Sequence, residues 1–227
     1  MQGDFSALLQ KAISHERLEG YSRRKEMQGN NSLFAHYAWN LALSESLYPA
    51  LQGIEVALRN SMHDAALNRF GSATWFEGDL LHERDQRFVT VARNALLSAG
   101  KTMEPSRILA ELSFGFWTSL FDVRYEQRLW PWLLKPVFPY MPRRLRTRAE
   151  LSRRLNKIRL LRNRVFHHEP IWFWQDLKQQ HRNLLETLSW INPAMPRFIG
   201  IIDRFPRVAE TGCVPYHEQV ANLFLQP

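Results

Sequence analysis

Cysteine is nearly absent from this chain of 227 residues: Cys213 stands alone, which excludes a disulfide framework and every multi-cysteine zinc site. Long apolar runs are missing as well. The uncharged apolar stretches fall well short of the roughly 18–20 residues that cross a bilayer. The opening residues MQGDFSALLQKAISHERLEG read as an amphipathic helix without a small-residue cleavage site. These absences predict a soluble, unexported, cytoplasmic protein with no membrane partner. No stretch alternates with period two beside hairpin turn chemistry, so little or no sheet is expected. Familiar catalytic motifs lack their residues too. Gly100-Lys101-Thr102 imitates the end of a P-loop, but Ala95 stands where the first glycine is required. None of the His-Glu pairs has a second histidine at zincin spacing, and there is no Gly-x-Ser-x-Gly elbow. No cofactor and no metal are expected. Lysine is scarce: six of the 30 basic residues, the other 24 being arginine, the side chain suited to bidentate phosphate recognition.

What is present is concentrated. Between Arg143 and Arg164 lie ten basic residues against Glu150 alone, a local net of +9, while the rest of the chain holds 20 basic and 21 acidic residues. Positive charge gathered on one element points to a phosphate-bearing partner, with a solvated helix face or a basic dimer rim as the plainer alternative.

The hydrophobic pattern has helical period almost throughout, which makes the fold all-α. A first helix carries Phe5, Leu8, Leu9, Ala12 and Ile13 and should end near Gly20. A second runs from about residue 32 to 46, and Pro49 marks the start of a third that ends at Gly71. Another spans about 83–98, closed by Gly100, and the next opens near Pro105 with Ile108, Leu109, Leu112 and Phe116 on one face. Residues 114–140 hold nine aromatics and three prolines (131, 136 and 139), and are expected to be a helix end and a proline-broken connector serving as core and subunit-contact surface. Thr147 to Glu150 matches a capping box ahead of an apolar stripe of Leu151, Leu155, Ile158, Leu161 and Val165. That basic helix should stop at or before Glu169, because Pro170 disfavours helical geometry in the residue preceding it. A last strong helix is expected over about 173–190, stopped by Asn192-Pro193. No repeat or domain boundary is visible, so 1–227 reads as a single domain: a helix and loop over 1–31, a core over about 32–191 and an appendage over 192–227.

At the C-terminal end of the basic helix stands the string Arg162-Asn163-Arg164-Val165-Phe166-His167-His168-Glu169-Pro170-Ile171-Trp172. Histidine can move a proton near neutral pH, and arginine can neutralise charge building on a phosphoryl oxygen. Together they are what RNA cleavage through the 2′-hydroxyl requires. Either histidine could instead simply cap the helix. Five residues separate Arg162 from His167, about 7.5 Å of rise and about 140° of rotation on an ideal helix, so one chain does not put both on one face. In-line transfer at phosphorus uses proton donors and acceptors on opposite sides, and a two-fold dimer would supply a second copy of each group.

The Arg-x(4–6)-His spacing of Arg162 and His167, with a polar Asn163 after the arginine, resembles the motif of the HEPN superfamily. The longer string RNRVFHHEPIW is similar to the signature of its bacterial Abi-like (abortive-infection) family, and LYPALQGIEVALRNSMHDAAL at 47–67 and ELSFGFWTSLF at 111–121 agree with it. The resemblance implies a HEPN-like helical bundle, a homodimer and a metal-independent endoribonuclease in phage defence or toxin-type growth arrest. RNA is the implied partner, and an antitoxin or regulatory partner stays open. Under it, Arg162 stabilises the transition state, His167 is the general acid or base and Asn163 orients the phosphate or the arginine. His168 and Glu169 support them from behind, Glu169 by orienting an imidazole, while the charge of the basic helix, and not the resemblance, assigns Arg153, Arg154, Lys157, Arg159 and Arg164 to RNA binding. Some members of the superfamily are non-catalytic, so a dimeric module that binds RNA or a protein is the alternative. Arg59 to His63 repeats the motif with a gap of three and is expected to be structural.

Overall fold

The computed structural model describes residues 2–22 and 29–225. Among them there are twelve α-helices, three short 3-10 turns and no strand, and no helix is long and apolar enough to cross a membrane. The chain forms two compact units. One is built from Met1–Pro49, Arg162–His181 and Ile202–Pro227, the other from Ala50–Leu161 and Arg182–Ile201.

In the first unit, α1 (Gln2–Ile13) and α2 (His15–Ser22) are separate, where one helix to Gly20 was expected. Ser14 parts them: it adopts φ +78°, and its hydroxyl accepts from the Arg17 N–H at 3.3 Å, capping the second helix. The long helix α3 (Gly29–Phe70) also departs from expectation, because it continues through Pro49 instead of restarting there. An internal proline costs about 3 kcal/mol. The stripe of Leu43, Leu47, Leu51, Ile54 and Leu58, each at most 1% exposed, runs across it and outweighs that cost. The first turn of α1 and α12 (Val214–Leu225) meet through Phe5 and Phe224, whose ring centroids are 5.6 Å apart, and Phe34 packs on Phe224 at the same distance. The segment expected to be an appendage thus contributes core to this unit. His181 Nε2 lies 3.0 Å from the Asp203 carboxylate, both buried, with Phe205 against the imidazole.

The second unit holds the remainder of α3, then α4 (Glu83–Ser98), α5 (Pro105–Glu111), α6 (Phe114–Ser119), α7 (Trp130–Val137), most of α8 (Arg148–Phe166), the later part of α9 (Leu177–Ile191) and α10 (Ala194–Ile199). Gly100 closes α4 at φ +64°, and Pro105 is the first residue of α5, as their chemistry requires. The face expected to run on to Phe116 is broken at Leu112, because the Ser113 side chain accepts from the Phe116 N–H and starts α6. The connector expected over 114–140 is more helical than its prolines suggest. Pro131 falls in the first turn of α7, where no N–H is missed, and Pro136 is accommodated near its end. Seven of the nine aromatics there are buried in this unit, with Phe121 stacked on Trp130 at 4.0 Å. Of the nine, only Trp132 and Tyr140 are exposed, so most of the stretch is core, as expected. Helix α9 begins at Leu177, four residues later than expected, since 173–176 form turns. α10 crosses α3 closely: a methyl group on Gly53 would sit 2.4 Å from Ile199 Cδ1.

Candidate functional site

Helix α8 starts as its sequence requires. The Thr147 hydroxyl accepts from the Glu150 N–H at 3.1 Å, and Leu151, Leu155, Ile158, Leu161 and Val165 are all buried. The Glu150 carboxylate takes Arg153 at 2.6 Å and Arg154 at 2.8 Å. Burial works to raise the Glu150 pKa, but these two guanidinium groups bring it below the ordinary carboxylate value.

The other end of α8 carries the string. It closes as a Schellman turn: the Glu169 N–H donates to the Arg164 carbonyl at 2.8 Å and the His168 N–H to the Val165 carbonyl at 3.1 Å. The left-handed residue such a turn requires, usually glycine, is His168 at φ +58°. Three further bonds fix the backbone beyond it. Arg17 Nη1 donates to the His168 carbonyl at 2.8 Å. Asn40 Oδ1, on α3 and buried, accepts from the N–H groups of Ile171 at 2.7 Å and Trp172 at 3.3 Å.

On this frame the Arg162 guanidinium lies 4.3 Å over the ring of Phe166, which packs on Tyr48 at 5.9 Å. The Asn163 carbonyl accepts from the His167 N–H at 2.8 Å, and its side chain is half-buried. Arg164 pairs with Glu169 at 2.9 Å and lies 5.4 Å from the Trp174 ring centroid. Glu169 is therefore engaged with an arginine, where orientation of an imidazole was the expected role. His167 and His168 are exposed. The unit thus offers two arginines braced by aromatic rings and an exposed imidazole one residue past the helix end.

Of the residues expected to bind RNA, Arg153, Arg154, Lys157 and Arg159 belong to the second unit. Arg153 and Lys157 are exposed, and Arg159 donates to Asn156 Oδ1 at 3.2 Å. Arg154 is only 13% exposed, clamped between Glu150 and Glu186 at 2.5 Å and flat over Trp190 at 4.3 Å, so it holds α8 to α9. Arg146 and Arg148 donate to the carbonyls of Met141 and Phe121. Much of the local charge excess is thus spent on the unit's own packing. The near-repeat at 59–63 is equally tied in: Ser61 Oγ donates to the Val137 carbonyl at 3.0 Å and His63 Nδ1 accepts from Trp75 at 3.2 Å.

Sequence reasoning missed Arg17 and Asn40. Nothing local marks Arg17, but Asn40 is a polar residue on the apolar stripe that holds Leu43 and Leu47, and that misfit was the available signal. What fold and string define is a class, an all-helical chain with an Arg-x4-His string at the end of an arginine-rich helix. No family model, no curated protein and no solved structure matches this chain.

Proposed function

We propose that the protein is a metal-independent endoribonuclease of the Abi-like HEPN type, acting as a homodimer on RNA in the cytoplasm, in phage defence or growth arrest. The observation that carries this reading is the exposed His167 imidazole on a backbone fixed by the Schellman turn, Arg17 and Asn40, with Arg162 in the preceding turns of α8. In the reaction, the ribose 2′-oxygen attacks the neighbouring phosphorus and the bond to the 5′-oxygen breaks. One His167 removes the 2′-hydroxyl proton, and the second copy's imidazole protonates the leaving 5′-oxygen. The Arg162 guanidinium neutralises charge on the phosphorane-like transition state, and Asn163 orients the phosphate. The products are a 2′,3′-cyclic phosphate and a 5′-hydroxyl. Exposed Arg153 and Lys157 supply phosphate contacts.

The test is cleavage of total RNA by purified protein in EDTA. Wild type should cut and leave cyclic phosphate ends, while His167→Ala should lose about 10²–10⁴-fold in rate yet stay folded and bind RNA. Activity that needs Mg²⁺, or a His167→Ala variant as active as wild type, rejects the mechanism. The alternative is a non-catalytic dimeric module that binds RNA or a partner protein. Wild type that binds RNA without cutting it would establish that reading.

A further inference from the structure

One group of side chains in the first unit is used by nothing above. His36 on α3, Cys213 and His217 converge so that one ligand atom from each lies within 4.8 Å of the others. The local chain explains the convergence. Gly212, at φ +71°, turns the backbone out of α11 (Phe205–Thr211). The Cys213 carbonyl then accepts from the N–H groups of Tyr216 at 3.0 Å and His217 at 3.3 Å. Cys213 and His217 are thereby one helical turn apart on one face. His36 is 9% exposed, and its Nδ1 is 2.9 Å from the Ser32 carbonyl one turn earlier in α3. A carbonyl can only accept, so Nδ1 carries the proton and the Nε2 lone pair is the ligand atom left. This is the arrangement typical of a metal-bound histidine, whose second nitrogen is fixed by an outer hydrogen bond. The His217 ring stands nearly perpendicular to that of His36, at 86° and 5.5 Å, and Trp172 packs on His36 at 4.5 Å as an apolar wall.

We propose that His36, Cys213 and His217 bind one Zn²⁺ ion through two imidazole nitrogens and a thiolate, with a fourth position for water or an outside ligand. The donor set selects the metal. It contains no carboxylate, so hard cations such as Mg²⁺, Ca²⁺ and Mn²⁺ are poorly served, whereas mixed sulfur and nitrogen ligation suits zinc. Zinc bonds of about 2.0–2.1 Å to nitrogen and about 2.3 Å to sulfur place tetrahedral ligand atoms about 3.3–3.6 Å apart. The observed spread closes to that with side-chain adjustments of about an ångström. Binding displaces the thiol proton to solvent. The ion would tie α12 to α3 and brace Trp172, the last residue of the Arg162–Trp172 string. The site stands whether or not the chain cuts RNA, and its test uses no RNA.

The full chain is stripped with a chelator, mixed with Zn²⁺ and passed through a desalting column, and retained metal is measured by elemental analysis. Wild type should keep one equivalent. Cys213→Ser and His217→Gln, each checked for unchanged helical circular dichroism, should bind at least about 100-fold more weakly, beyond the loss expected when only a supporting residue is changed. Because His36 is buried and its replacement could unfold the unit, Co²⁺ supplies an independent measurement. The cobalt form of wild type should show a near-ultraviolet thiolate-to-metal band that Cys213→Ser abolishes. Retention well below one equivalent of Zn²⁺, full retention by the Cys213→Ser/His217→Gln double variant, a cobalt form without the thiolate band, or retention of Cu⁺ but not Zn²⁺ would each overturn the proposal.

Discussion

Replacing His168 by glycine should stabilise this protein although it removes a residue of the string. At φ +58° the Cβ of an L-residue crowds its own backbone, at a cost of roughly 1–2 kcal/mol. Glycine removes that strain but has more freedom to lose on folding, about 0.5–1 kcal/mol. The His168 N–H and carbonyl, which bond Val165 and Arg17, survive the substitution. The balance is a gain of about 0.5–1 kcal/mol, which at this chain length is a rise of about 1–4 °C in melting temperature. Thermal unfolding followed by circular dichroism reads it directly. His168→Ala is the control: alanine keeps the Cβ, so it should show no gain. A glycine variant that melts below wild type, or an alanine variant that gains equally, would refute the argument that backbone geometry dominates at this position. Under the proposed function, RNA cleavage by the stabilised glycine variant would then report on the imidazole of His168 with folding removed as a cause.

Two further predictions concern the second unit. Asp85 is fully buried and accepts from the Tyr125 hydroxyl at 2.7 Å and the Ser119 hydroxyl at 2.9 Å, with Arg124 at 3.9 Å; Asp85→Ala should cost about 3–5 kcal/mol in urea unfolding, and a loss under about 1 kcal/mol would contradict the network. Glu150 has a folded-state pKa below its unfolded one, so its stabilisation is fully present above the ordinary carboxylate value and is lost as pH falls through the folded one. Glu150→Gln should therefore melt lower than wild type at pH 7, by about 1 kcal/mol or less for two pairs, with the gap closing in acid; a gap that persists there would assign the effect to packing.

Some of this architecture could be read before any coordinates because the controlling chemistry is local. Gly100 ends α4, Pro105 opens α5, Thr147 caps α8 and Asn192 stops α9, where its side chain accepts from the Ala194 N–H at 2.9 Å. Failures came where a distant partner or a competing hydroxyl decided the outcome. Ser14 and Ser113 restart helices through side-chain bonds that hydrophobic periodicity does not register. Pro49 did not break α3, because the buried stripe on both sides rewards continuity. The string at 162–172 was legible as a pattern of residue types. Its supports were not, since Arg17 and Asn40 come from more than a hundred residues away. The zinc ligands divide in the same way: Cys213 and His217 have helical spacing, but His36 is supplied only by the fold.

The interleaved layout of the two units bears on how the chain is made. The first unit takes its parts from the beginning, the middle and the end of the sequence, and Phe5 finds its partner Phe224 only when the last helix has been synthesised. At about 5–20 residues per second, roughly 8–30 s pass between the emergence of Pro49 and that of residue 202. During that time α1, α2 and the start of α3 present Leu18, Tyr21, Phe34 and Leu43 without the last segment of their unit, and until residue 162 emerges without its middle segment either. By contrast, residues 50–161 arrive as one stretch and lack only 182–201. A ribosome that stalls between residues 202 and 213 would release a chain that holds every segment of the second unit but lacks α12 of the first, leaving the apolar residues of α1 and α3 as a substrate for chaperones and proteases.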